Sequence, residues 1–140
     1  MGREYFAIPV LHLFGNSMLF REKSLYHQIH PLKLAADILS EPVSLYLLWQ
    51  QNLLWGLASH FFPPILASAL VMSFVDLSYL KASRLGVYIS KHMTRKVELA
   101  RFVGDLVMVA CAWEHQLAGI AVGLGIVIAA WTTGLFTSLE

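Results

Sequence analysis

The chain has 140 residues, 57% of them hydrophobic and only 14% charged, with a mean hydropathy of +0.61. Ordinary soluble domains are about one-quarter charged, so this composition belongs to a single membrane domain with no room for a second. A net charge of +1 offers no field to draw nucleic acid, and a single cysteine, Cys111, excludes an intrachain disulfide.

The charges fall in blocks. Pro42 to Val75 is 34 residues without an Asp, Glu, Lys or Arg, and His115 to Leu139 is another 25. A helix apolar on every side is not a soluble surface helix. The pattern predicts an all-α integral membrane protein: a bundle of four transmembrane helices, with one or two interfacial helices on the cytoplasmic side, forming one domain over 1–140.

Residues 1–33 read as an amphipathic N-terminal segment. Tyr5–Phe20 is apolar but shorter than the roughly 20 residues a span requires. It also carries Pro9, His12, Gly15 and Asn16. An interfacial or re-entrant stretch is expected there, with an irregular span as the alternative. Arg21-Glu22-Lys23 follows where a signal peptide would carry small residues, so no cleavage site is read. Met1-Gly2 and Leu139-Glu140 read as cloning residues. Pro31 suits the first turn of a helix, and Leu32, Leu34, Ala35, Ile38 and Leu39 then share one face. Pro42 lacks an N–H. Either an interfacial helix ends near Ser40 and a span starts at Pro42, or one helix kinks there.

The first span is expected over about 34–60, Pro63-Pro64 is read as a turn, and the second span follows over about 63–80. Residues 81–96 form a basic connection with room for a short amphipathic helix. The third span covers about 97–113, Glu114-His115-Gln116 is a tight polar turn, and the fourth span covers about 117–136. The two hairpins are similar in length, but no sequence repeat is evident between them. Segments 21–33 and 81–101 hold nine of the ten Lys and Arg residues. Basic loops face the cytoplasm, so the chain is expected in a plasma (inner) membrane with both turns outside. Trp49, Trp55 and Trp113 would then mark the outer interface and Trp131 the inner one.

Ionisable groups inside spans are costly, which makes them functional candidates. Asp76 and Asp105 are expected to form the core of an inner-leaflet site. Asp37 and Glu41 would stand at its mouth, and His30, Glu98 and Arg101 on its rim. The plainer alternative pairs Lys33 with Asp37 and Arg101 with Asp105 at the i,i+4 spacing. His60 and Glu114-His115 read as surface or turn groups. The six histidines invite a haem or transition-metal site, but their spacing argues against one and no metal ligands are assigned; the cofactor is left open, with a divalent cation held by the carboxylates as the candidate. Gly119 and Gly123 form a small-residue face for helix packing, within the chain or in a homo-oligomer.

Phosphate-loop, nucleophile-elbow and metalloprotease-helix motifs are absent from the sequence. The reading that remains is a small transporter or channel for a cation or proton-coupled solute, with the bilayer and a second copy of the chain as partners. Its rival is a membrane-embedded enzyme acting on a lipid-like substrate from the cytoplasmic side. A structural or accessory subunit is the third.

Overall fold

A computed structural model describes residues 18–137. The Tyr5–Phe20 segment lies almost wholly outside the described residues, and both terminal pairs lie outside them. Among the described residues there are seven α-helices and no strands, and 86% of them are helical. They run as α1 (Phe20–Tyr26), a 3-10 turn (His27–Ile29), α2 (Pro31–Trp49), α3 (Leu53–Phe74), α4 (Ser78–Lys81), α5 (Arg84–His92), α6 (Arg95–Trp113) and α7 (Leu117–Thr137). Two stretches, Leu53–Phe74 and Leu117–Leu135, are long and apolar enough to cross a membrane on length and composition. The other two long helices carry the charges: Lys33, Asp37 and Glu41 on α2, and Arg95, Lys96, Glu98, Arg101 and Asp105 on α6.

The first hairpin turns earlier than expected. Pro63 and Pro64 lie inside α3, and Pro42 lies inside an unbroken α2. The helices first assigned to 34–60 and 63–80 are therefore Pro31–Trp49 and Leu53–Phe74. The turn is Gln50-Gln51-Asn52. Gln51 adopts φ 58°, its N–H donates to Leu48 O at 2.9 Å, and the Asn52 N–H donates to Leu47 O at 2.9 Å. This pair of bonds closes a helix end by satisfying its last carbonyls. Asn52 Oδ1 accepts from the Trp55 N–H at 3.4 Å and so caps the next helix. Three polar residues thus provide what a chain reversal needs, whereas two prolines only remove donors from a helix they can still join.

The second turn repeats this geometry. His115 has φ 57°, its N–H donates to Ala112 O at 3.2 Å, and the Gln116 N–H donates to Cys111 O at 2.8 Å. The match extends along α2 and α6. Both are 19 residues long, begin after a side-chain cap (His30, Thr94) and end at a tryptophan. Their buried residues, Ser40, Ser44 and Leu48 against Gly104, Met108 and Ala112, are related by one shift of 64 positions. The contacts between the turns obey the same shift. Gln51 Nε2 donates to Trp113 O at 2.7 Å, and the ring of His115, the counterpart of Gln51, meets Trp49, the counterpart of Trp113, at 4.8 Å. α2 and α6 are therefore related by an approximate two-fold axis. Ala36/Ala100, Val43/Val107 and Trp49/Trp113 are their only identical pairs under that shift, which is why no repeat is evident from sequence.

The hairpins meet along α2 and α6, with α3 and α7 outside them. α7 presses on α6 at Gly104 and Gly123, where a Cβ on Gly123 would lie 2.6 Å from Gly104 O. Gly119 faces Cys111, so the small-residue face of α7 is turned toward α6 of the same chain. Tyr26, Ile29, Val71, Leu77, Leu80 and Ile89 form an apolar core that closes the basic end, and Met93 and Trp131 pack against it. The basic connection contains the expected short amphipathic helix, α5. Elsewhere the apolar surface faces outward: Ile38 and Leu39 on α2, Phe62 and Ile65 on α3, and Phe102 on α6 are all exposed.

Candidate functional site

Three ionisable side chains from three helices meet within the bundle. Glu41 on α2 and Asp105 on α6 occupy equivalent positions, each eight residues before a terminal tryptophan, or about 12 Å of helix from the turns. His60 on α3 is seven residues past Leu53, about 10 Å from the same end. The site is therefore level across the three helices. The close approach of α2 and α3 places His60 there. Gly56, one turn before His60, is buried against Leu48, and its carbonyl accepts a bond from Ser44 Oγ at 2.9 Å.

The His60 side chain is only 6% exposed, with Nε2 3.0 Å from Asp105 Oδ2 and Nδ1 3.2 Å from Glu41 Oε2. The first contact is a hydrogen bond. The second is close but poorly aligned and leaves His60 Nδ1 without a hydrogen bond; the other oxygen of Glu41, Oε1, is also buried and has no hydrogen-bond partner. Buried polar atoms without partners cost about 1–3 kcal/mol each. The cluster therefore has unused capacity to bind a proton or an ion. Its ligand atoms all lie within 4.8 Å of one another.

The expected pairing of Asp76 with Asp105 is not formed. That expectation requires Asp76 to lie within a helix running over about 63–80. Because α3 ends at Phe74, Asp76 is instead exposed in the loop beyond it. There it accepts from the Ser78 N–H at 3.0 Å and from Ser78 Oγ at 2.9 Å. The backbone bond first, and then the hydroxyl, hold its carboxyl below the usual carboxylate range. Asp37 forms the i,i+4 ion pair with Lys33. Arg101 and Asp105 do not pair. Arg101 donates to Gln28 Oε1 at 2.8 Å and lies 4.2 Å over the Trp131 ring, while Glu98 accepts from Gln28 Nε2 at 3.3 Å. Two of the three rim residues are thus tied together by Gln28, and the third, His30, caps α2 by accepting from the Leu32 N–H at 3.2 Å. Of the residues singled out from sequence, the fold brings Glu41 and Asp105 together.

His60 was read as a surface group and is buried. One signal could have found it. It is the only histidine in the uncharged stretch from Pro42 to Val75, and it continues a helical stripe with Gly56, Ala67 and Val71. No chain spacing could show that its partners come from two other helices. Beside the cluster, Ala36, Leu39, Ser40, Val43, Ser59 and Pro63 line a groove of about 340 Å³ between α2 and α3.

No family model matches the chain, and no curated protein or solved structure resembles it significantly.

Proposed function

We propose that this protein is a four-span membrane transporter or channel for a cation, and that Glu41, His60 and Asp105 form its ion site. The observation that carries the reading is His60 held between two carboxylates at equal depth on related helices. A protein that needed only structural integrity would gain little from three ionisable groups there, because burying such groups costs more than apolar packing. Two further features support the reading. The apolar helices are only 17% buried over their spanning windows, unlike the mostly buried core helix of a soluble fold. Exposed Ile38 and Leu39 on α2 and Phe102 on α6 give the charged helices apolar outer faces as well, which suits contact with lipid. Sites at the interface of two structural repeats, near the bilayer midplane, are a recurrent plan of transporters.

Reconstitution into liposomes tests this. Cation flux, read with ion-sensitive dyes inside the vesicles, should fall at least about tenfold in Glu41→Gln and Asp105→Asn. Asp76→Asn should leave it unchanged. Equal flux in all three variants, or none in the wild type, would defeat the reading.

The groove between α2 and α3 favours a second reading, a membrane-embedded enzyme with an apolar substrate chain lying against Ser40 and Ser59. Turnover of an amphiphile without ion flux would select it.

A further inference from the structure

We infer that the cluster binds a divalent first-row transition-metal cation, through one His60 ring nitrogen and one carboxylate oxygen each from Glu41 and Asp105. This inference rests on the transport reading, for which it names the cargo. The argument begins with the unpartnered atoms. The His60 side chain is more than nine-tenths buried, and its Nδ1 makes no aligned hydrogen bond although Glu41 Oε2 lies 3.2 Å away. Glu41 Oε1 is likewise buried and unpartnered. These are electron-pair donors of the kind a cation needs, held where water does not reach them.

Charge balance selects the valence. Two carboxylates and a neutral imidazole sum to −2, which a divalent cation cancels. An imidazolium alone leaves −1 in an apolar layer. Ligand chemistry then selects the type of ion. Imidazole suits Zn²⁺, Fe²⁺ and their neighbours, whereas Mg²⁺ and Ca²⁺ take oxygen ligands and more of them. A tetrahedral ion with bonds of about 2.1 Å places its ligands roughly 3.4 Å apart. The contact at either ring nitrogen, 3.0 Å from Nε2 to Asp105 or 3.2 Å from Nδ1 to Glu41, is close to that value; the other carboxylate, its ligand atom within 4.8 Å of the rest, must swing round to the same edge of the ring to complete the set. Three protein ligands leave a coordination position open, as a site that must load and release its ion requires.

The test uses the purified full-length chain in detergent, free of affinity tag and stripped with chelator. It is titrated with Zn²⁺, Mn²⁺, Mg²⁺ and Ca²⁺, and the visible absorbance of added Co²⁺ is read in parallel. One Zn²⁺ per chain is expected, bound about a hundredfold or more tighter than Mg²⁺ or Ca²⁺. Affinity should fall by more than about tenfold in His60→Gln, Glu41→Gln and Asp105→Asn. His115→Gln and Asp76→Asn should bind as the wild type does. No Zn²⁺ uptake, or uptake unchanged in His60→Gln, overturns the inference. Should His60→Gln lose its helicity, Glu41→Gln and the wild-type Co²⁺ spectrum decide instead, and absence of d–d bands counts against the site. Zn²⁺ binding without flux would sink the transport reading and leave the site. Flux of another cation without Zn²⁺ binding would do the reverse.

Discussion

At the residue scale, His60 is the keystone of the cluster, because it alone touches both carboxylates. Removing one partner of a buried charged group is far more damaging than removing all of them. His60→Leu should therefore cost about 3 kcal/mol, measured by unfolding in detergent. The triple change Glu41→Gln, His60→Leu and Asp105→Asn should recover most of that loss, since it leaves no uncompensated charge. A triple variant less stable than His60→Leu would show that the groups stabilise the fold outright. Glu41 and Asp105 were legible in the sequence because a carboxylate in an apolar helix stands out in a single chain. His60 was not, because an uncharged stretch hides a histidine as easily as it hides a serine. Asp76 differs through its helix and not through its chemistry: a carboxylate at that number lies within a helix over 63–80 but beyond one that ends at Phe74.

At the element scale, the helices and the turn of the second hairpin were legible, since Glu114-His115-Gln116 is a polar break between two apolar runs. Those of the first were not, because proline-proline carries a stronger prior for a turn than Gln50-Gln51-Asn52. The cost of proline in a helix is a lost donor and a local clash, and packing against α2 can override it. Close packing in the second hairpin has its own test. On Gly123 a Cβ would meet the Gly104 carbonyl at 2.6 Å, whereas on Gly125 it would meet nothing within 4 Å. Gly123→Ala should destabilise by about 1–3 kcal/mol, because backbone cannot yield cheaply. Gly125→Ala should be neutral or stabilise by up to about 1 kcal/mol through helix propensity. Thermal unfolding of the pair checks both, and equal effects would contradict the tight α6–α7 seam.

At the scale of the whole molecule, the basic segments lie at one end of the bundle and the two uncharged or weakly charged turns at the other, and that layout survives the shift of the first turn. In a Cys111→Ser background, an impermeant maleimide should label Gln50→Cys from one side of the membrane and Lys91→Cys from the other. Labelling of both from the same side would exclude four spans. The approximate two-fold axis relates α2 to α6 but does not extend to the helices that follow them. α3 turns His60 inward, while α7 buries Gly123, the counterpart of Ser59, and exposes Leu124, the counterpart of His60. The outer helices are thus one residue out of phase, about 100° of rotation. Where Gly104 and Gly123 bring two backbones together, the matching Ser40 and Ser59 line an open groove. Two halves built on one plan thus differ in closure: backbone seals one seam, and the other stays open along the helix that carries the only imidazole in the cluster.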